Sequence, residues 1–426
     1  MEHPGSASFV QDVKDWRALT DNIFLWDYVI NFRNLYSPFP NLRVLQPNLR
    51  FFRDQGITTV FEQGLSTWYG EFAQLRQYLL AKLMWNPDAD ADAIIDDFLA
   101  GYYGPAAPHL RAYIDAAHDA LAASGEGLGI YSYPVPSEDG FLSAANLDHY
   151  EELFAQAEKA VAGDPVFEPR VWAAHLPVQF ALLEQAKMKA LGARGCFTQA
   201  ASGALTVRPE VADRLDVFVR RCQELGVPAL WEYGTSPREY GDWTNHFLRR
   251  SEKTHLAQGR PVQLAAPASD KYNGGRAESL TDGIRAWNDY HFHWLGFEGQ
   301  EMAATIDLGA VHAIEDIGVD FLQDINSWVF MPRSVRFLVS ADGRDFQEVG
   351  RVAARTDPHL WGPQVETFQV EQASTRARFI RVETDSYRQC PTWHKGSGGP
   401  AWIFADEIRV NDGGGLEMES HGPGGR

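Results

Sequence analysis

Leu280-Thr-Asp-Gly-Ile284, Trp294-Leu-Gly-Phe297, Ile306-Asp-Leu-Gly309, Phe321-Leu-Gln-Asp324, Trp328-Val-Phe-Met-Pro332 and Val335-Arg-Phe-Leu-Val-Ser340-Ala-Asp-Gly-Arg-Asp-Phe346 follow one another in one part of the chain. Each is a short β-prone run. Apolar and polar residues alternate in Ala304-Thr-Ile-Asp-Leu308 and in Val335 to Ser340, as in a half-buried strand, and Asp282-Gly283 and Asp342-Gly343 are tight-turn pairs. Several such strands within about 150 residues predict an antiparallel β-sandwich over 264–412.

These runs, with Ala377-Arg-Phe-Ile-Arg-Val382 and the closing Trp402-Ile-Phe-Ala-Asp-Glu407-Ile-Arg-Val410, resemble the coagulation-factor five/eight type C, or discoidin-like, jelly roll. Bacteria often append that module to glycoside hydrolases as a carbohydrate-binding domain. The resemblance implies a glycan partner. It also implies a structural calcium for which Asp282 and Glu407 match the carboxylate positions, with backbone carbonyls near 273–279 completing a hard-oxygen shell. The residues themselves allow a plainer reading, in which Asp282 caps its turn and Glu407 pairs with an arginine. Sugar modules stack an aromatic ring on the apolar face of a pyranose and fix its hydroxyls with polar groups. Tyr290, His291, Trp361, Trp393 and His394 lie in loop-like text and are the candidates, whereas Trp294, Trp328 and Trp402 sit inside strand motifs and are expected in the core.

Upstream the text changes character. Asn22 to Phe32 is a continuous apolar run expected to be a strand buried on both faces. A helix over 45–55 ends at Gly56, a second strand follows over 57–63, and a helix runs from Glu71 to Trp85 with Phe72, Leu75, Leu79 and Leu83 on one face. Two βα units in succession imply parallel strands. Phe24-Leu-Trp-Asp-Tyr28, Ser37-Pro-Phe-Pro-Asn-Leu42, Val60-Phe-Glu-Gln-Gly64, the run from Leu75 to Pro87 and Phe98-Leu-Ala-Gly-Tyr-Tyr-Gly104 resemble the closing part of a (β/α) barrel. The barrel is that of the bacterial domain-of-unknown-function family in α-glucuronidase-like glycoside hydrolases. The implied fold class is multi-domain, α/β plus all-β: the C-terminal portion of a (β/α) barrel over 1–86 and a helical accessory region over 87–250. A linker over 251–263, the sandwich and a disordered tail over 413–426 complete it. A closed barrel needs eight strands and about 250 residues, so this sequence reads as the later part of a longer enzyme or as a remnant.

Glycosidic cleavage uses two carboxyl groups, and in barrels these stand at the C-terminal ends of strands. Asp27 and Glu62 hold such positions, as catalytic groups or as binders of sugar hydroxyls in a hydrogen-bond network. Tyr28, Asn31, Trp68 and Tyr69 follow the same strand ends, where they line a sugar subsite or pack the rim. Hydrolysis of a uronic-acid or amino-sugar glycan, with no cofactor required, is one expectation; a non-catalytic glycan-binding or adhesion protein is the other.

Composition narrows the classes. Lys and Arg number 38 against 57 Asp and Glu, a net charge of −19 that repels phosphate backbones and excludes nucleic acid as the expected partner. The three cysteines are scattered without a Cys-x-x-Cys pair, which predicts buried thiols. None of the 13 histidines stands in a His-Glu-x-x-His pattern, and His291-Phe-His293 reads as an alternating strand pair without a third ligand. No apolar run approaches the roughly 18 residues of a membrane span. The first residues lack the marks of a signal peptide, so the chain as written is expected in the cytosol, or secreted or periplasmic if its start lies upstream. The oligomeric state is not legible.

Overall fold

In the computed structural model residues 1, 3–64, 70–232 and 234–413 are described, apart from the side chains of 372–374. The chain divides into two compact units: 1–186 with 209–242, and 187–208 with 243 onward.

The first unit is helical around one small parallel sheet. After α1 (Ala7–Leu19) come β1 (Phe24–Tyr28), α2 (Leu42–Asp54), β2 (Thr59–Gln63) and α3 (Ala73–Trp85). Then follow α4 (Ala91–Tyr103), α5 (Ala107–Ser124), α6 (Ala144–Ala160), α7 (Phe167–Lys189) and α8 (Pro209–Glu224). The helix starts are those the sequence chemistry supplies: Asp90 caps α4 and Ser143 caps α6, each accepting a backbone N–H three residues on. Leu25 of β1 shares one core with Leu45, Leu49 and Phe52 of α2, Leu75, Leu79 and Leu83 of α3, and apolar faces of α4 to α7. β1 and β2 pair in parallel with Leu25 opposite Val60 and Asp27 opposite Glu62.

Two expectations are corrected here. The run from Asn22 to Phe32 is not buried on both faces: β1 has five residues, and Phe24, Trp26 and Tyr28 point away from the helices into solvent. Side chains alternate along a strand, and helices cover only one face of a two-stranded sheet. The partial barrel is likewise represented, among the described residues, by this single parallel pair; the remainder of the unit is helical.

The second unit is an antiparallel sandwich with a short hairpin, β3 (Phe197–Gln199) and β4 (Leu205–Val207), and the later part of α9 (Pro237–Ser251). Its strands are β5 (Val262–Leu264), β6 (Leu295–Glu298), β7 (Ala303–Gln323), β8 (Ser334–Ser340), β9 (Gln347–Ala353), β10 (Gln364–Asp385), β11 (Trp402–Ala405) and β12 (Arg409–Val410). The sheet order is β6-β11-β7-β10-β8-β9, with β5 and β12 also on β7. β7 and β10 are long because register shifts after Glu371 and Ala377 let each continue past a bulge. Residues 251–263, expected as a linker, belong to this fold: Val262 pairs with Ile306, the Leu256 N–H donates to Val410 O, and Ala257 is buried in the sandwich core.

All three cysteines are buried and free. Among the described residues no helix is long and apolar enough to cross a membrane. The tail beyond Gly413 lies outside the described residues.

Candidate functional site

The register of the parallel pair fixes the first candidate. Because Asp27 and Glu62 are direct partners, their side chains leave the same face of the sheet on strands about 4.8 Å apart. Glu62 opens into a cleft of about 360 Å³ lined by Val29, Ile30 and Gly64 after the strands and by Ala73, Arg76, Gln77 and Leu80 at α3. Burial, and then repulsion from Asp27, push the Glu62 carboxyl from its ordinary 4.5 up to about 8. Burial also raises Asp27, although its Oδ1 accepts the Tyr28 N–H at 2.8 Å.

The nearby cation does not neutralise the pair. Arg76 is buried and committed elsewhere: its guanidinium bonds the Glu71 carboxylate at 2.7 Å, Asn41 Oδ1 at 3.0 Å and the Phe39 carbonyl at 3.3 Å. A carboxylic acid that is mostly neutral near pH 7, beside a second carboxyl group, can donate a proton while its partner acts as a base or nucleophile.

The subsite residues divide. Tyr28 is exposed with its ring 5.5 Å from that of Phe32. Asn31 is not presented to a ligand: it is buried, its amide donates to Ser132 O and Oγ at 2.8 and 3.1 Å, and its Oδ1 accepts the Asn34 N–H. It pins loops together. Trp68 and Tyr69 lie outside the described residues.

The second candidate is the set of loops that follow β7, β9 and β10. Trp393 is 42 % exposed and rests against His359, whose ring centroid is 4.3 Å away. His359 is oriented by Asp357, which accepts its backbone N–H at 2.9 Å and meets its Nδ1 at 3.1 Å. Trp361 is 66 % exposed in the same loop. Trp328, expected in the core, is 39 % exposed: its backbone sits at φ 62°, which turns the ring outward, and Lys395 Nζ lies 5.1 Å above that ring. Trp294 is fully buried, as expected of a core residue, and Trp402 is half-buried against Tyr272 and Phe404.

His394 is corrected from ligand contact to support. It is buried; Nδ1 accepts the Gly396 N–H at 3.0 Å and Nε2 donates to Ile325 O at 2.7 Å, so both ring nitrogens are occupied by backbone. Tyr290 and His291 are half-buried, with Tyr290 packed on Tyr272 and Phe404 and His291 bonded to Asp289. His293 does not share a strand face with His291; it is buried with Nε2 on Lys187 O.

The third candidate is the pair Asp282 and Glu407, which the fold does bring together. Glu407 is fully buried; Oε1 accepts the Gly283 N–H at 3.0 Å and meets His255 Nε2 at 2.8 Å, while Oε2 has no partner. Burial pushes Glu407 up to about 8. Asp282 is driven well above its usual range by burial and by Glu407. Asp282 is half-buried and caps its own turn, its Oδ1 accepting the Ile284 N–H at 2.8 Å; its carboxylate and the orphaned Glu407 oxygen are of the kind a hard divalent cation takes. No cluster of three or more metal-type side chains exists among the described residues, so any further ligands would be backbone carbonyls or water.

The sequence reading missed Arg76, Gln77, His359 and Lys395. The Asp357-Pro-His-Leu-Trp361 segment carried a usable signal, since an Asp two residues before a His forms a local turn that aims the ring.

Comparison with known proteins agrees with this division. Residues 1–115 match a family described as Domain of unknown function (DUF4838), and residues 265–403 match the F5/8 type C domain. No curated protein matches the chain. Among solved structures, the Clostridium perfringens module CpGH89CBM32-5 in complex with GalNAc-β-1,3-galactose is 17% identical, covering 37% of this chain and 99% of its own at a TM-score of 0.24. The lectin domain of lectinolysin complexed with Lewis B antigen is 16% identical over 37% of this chain and 95% of its own, TM-score 0.25. Chitosan-binding module 1 from the chitosanase/glucanase of Paenibacillus sp. IK-5 is 16% identical over 37% and 98%, TM-score 0.24.

Proposed function

We propose that this is a carbohydrate-active protein: the sandwich holds a glycan, and the N-terminal unit carries a carboxylate pair of the glycosidase kind. The observation that carries the binding reading is the exposed Trp393 ring, fixed by His359 and Asp357. A half-exposed indole held in place by its neighbours is a stacking platform for a pyranose, and the polar groups beside it reach hydroxyls. Trp361 and Trp328 extend the apolar surface. A calcium ion at Asp282 and Glu407 is part of the proposal, with a structural role.

The hydrolytic reading rests on Glu62 opposite Asp27. Glu62 is the proton donor to the leaving oxygen, and Asp27 is the nucleophile or the base. Side chains at paired positions of neighbouring strands fit the separation of about 5–5.5 Å used for direct attack better than the wider gap that admits a water.

Two variants test these readings separately. Glu62→Gln abolishes any turnover of aryl glycosides and leaves glycan retention on affinity gels unchanged; turnover that survives removes Glu62 from the chemistry. Trp393→Ala does the reverse. If the wild type retains glycan and turns nothing over, the non-catalytic reading replaces the hydrolytic one.

A further inference from the structure

The cleft that Glu62 enters is walled by hydrocarbon. Val29 and Ile30, which follow β1, and Ala73 and Leu80 of α3 are buried along it; Phe61 stands 44 % exposed at its edge, with the Trp26 ring edge-on at 5.0 Å. The Val29 N–H donates to Gln63 O at 3.1 Å and the Val29 carbonyl accepts from the Asn41 amide at 2.9 Å, so both of these polar groups are committed. Arg76 gives its guanidinium to Glu71, Asn41 and Phe39, and Gln77 is exposed to solvent. The Glu62 carboxyl is the exception. Among the described residues it makes no hydrogen bond and no ion pair, and Asp27 faces it from β1 as a like charge.

A cleft of about 360 Å³ with apolar walls and an uncommitted carboxyl fits a small apolar molecule that has one oxygen to place. A sugar ring fits it badly, since hydroxyls stand all around the ring and each one buried without a partner costs roughly tenfold or more in affinity. Asp27 is not among the residues that line the cleft. The acid therefore works from inside the cleft, and the nucleophile or base from beside it. Because Glu62, in the hydrolytic reading, donates to the leaving oxygen, what the cleft receives is the leaving group.

We propose that the cleft holds an apolar aglycone, an aryl or alkyl alcohol whose glycosidic oxygen meets Glu62, so that the substrate is a glycoside of an apolar alcohol and not an internal bond of a polysaccharide. The inference rests on the hydrolytic reading for the roles of the two carboxyl groups. In the step it describes, the Glu62 proton goes to the glycosidic oxygen, the bond from that oxygen to the anomeric carbon breaks, and the aglycone leaves as a neutral alcohol. Water, directly or after Asp27, leaves its hydroxyl on the anomeric carbon, and its other proton restores the acid.

The test is calorimetric titration of the full chain with 2-naphthalenemethanol, an apolar alcohol that does not itself titrate, and with D-glucose. At about pH 6 the alcohol binds roughly tenfold or more tighter than glucose. At about pH 9 its affinity falls about tenfold, because Glu62, titrating near 8, is then protonated in only about one chain in eleven. Glu62→Gln, which still donates a hydrogen bond, binds the alcohol alike at both. Gly64 lines the cleft without a positive φ, and an added Cβ would find its nearest described neighbour, Val29 Cγ2, at 3.9 Å, so Gly64→Val fills space without a clash there. That variant lowers alcohol affinity about tenfold at unchanged melting temperature. Equal binding of alcohol and glucose, no binding of either, a wild-type affinity indifferent to pH, or one that survives Gly64→Val overturns the proposal. The two claims fail separately. Alcohol binding with these dependences and no turnover of aryl glycosides sinks only the hydrolytic reading, whereas turnover no faster for a naphthylmethyl glycoside than for a disaccharide of the same sugar overturns only the aglycone assignment.

Discussion

Replacing Glu62 by Gln should make the first unit more stable, and increasingly so as pH rises. In the folded chain the Glu62 carboxyl titrates near 8, against an ordinary 4.5, because burial and Asp27 both oppose its ionisation. Between those values the unfolded chain has lost a proton that the folded chain still holds, so folding stability falls as pH rises through that window. At ~1.36 kcal/mol per pH unit, the whole window amounts to roughly 5 kcal/mol. Because the side chain is partly exposed at the cleft, solvent screening reduces this to about 3 kcal/mol. Glutamine has nearly the shape of the neutral acid and nothing to ionise. Urea unfolding followed by far-ultraviolet circular dichroism reports the helical unit. At about pH 5 the variant and wild type should agree within about 0.5 kcal/mol, and at about pH 9 the variant should be more stable by about 3 kcal/mol. A difference that stays constant from acid to alkaline pH would falsify the argument: Glu62 would then titrate as an ordinary surface carboxylate and could not serve as a neutral proton donor at pH 7.

Trp393→Ala should weaken glycan binding about tenfold or more, equivalent to about 1.4 kcal/mol, with the sandwich still folded by near-ultraviolet dichroism; unchanged retention would move the binding surface elsewhere. Calcium at about 100 times its dissociation constant should stabilise the sandwich by about 2.7 kcal/mol, with reversal by chelator and loss in Asp282→Asn; a melting curve indifferent to calcium refutes the cation. His175, stacked on Phe154 and bonded through both ring nitrogens to Glu151 and Glu158, is held protonated by those carboxylates despite burial, and both carboxylates lie near 2. His175→Ala should cost about 3–5 kcal/mol near pH 6. The deficit should shrink above the raised His175 value, where the wild type loses the same interaction, and shrink again as acid protonates the glutamates; a pH-independent deficit would reduce His175 to packing.

The legible parts of the fold are those with a period or a cap. β1 and β2 follow β-prone runs, α2 stops before Gly56 at φ 74°, and the sandwich strands follow the alternating segments. α9 falls in the helical region expected over 87–250, and its start is written in the sequence. Ser236-Pro-Arg-Glu239 is a capping box, with the Ser236 N–H donating to Glu239 Oε2 at 2.8 Å and the Glu239 N–H to Ser236 Oγ at 3.2 Å. Trp328 was not legible, because its outward turn depends on a positive φ that an indole-bearing residue rarely adopts and that the Asp324 to Val329 bridge imposes. For Asn31 and His394 the residue type was informative and its partners were not. Both have the polar groups a ligand would use, and both give them to backbone that only tertiary folding brings near.

The carboxylates withdrawn from water fall into matched and unmatched groups. In the first unit Glu71 is matched by Arg76, Glu151 by His175 and Arg214, and Glu158 by His175 and Arg221, whereas Asp27 and Glu62 face each other. In the sandwich Asp320 is held far below its usual range by Arg409 and Arg250, whereas Asp282 and Glu407 have, among the described residues, no salt bridge to an arginine or lysine: Asp282 accepts the Ile284 N–H, and Glu407 accepts the Gly283 N–H and meets His255. Burying an unmatched acid costs several kcal/mol, and the sandwich buries one more, Asp406, with neither oxygen hydrogen-bonded, so an unmatched carboxyl marks a candidate and takes its meaning from what surrounds it. At Asp282 and Glu407, where one Glu407 oxygen lacks a partner, the proposed calcium would supply the missing charge, and the calcium titration above decides it. At Glu62, open to a cleft, burial and Asp27 favour the protonated carboxyl near neutral pH, which is the state the proposed proton donor requires, and the Glu62→Gln stability profile tests that state directly.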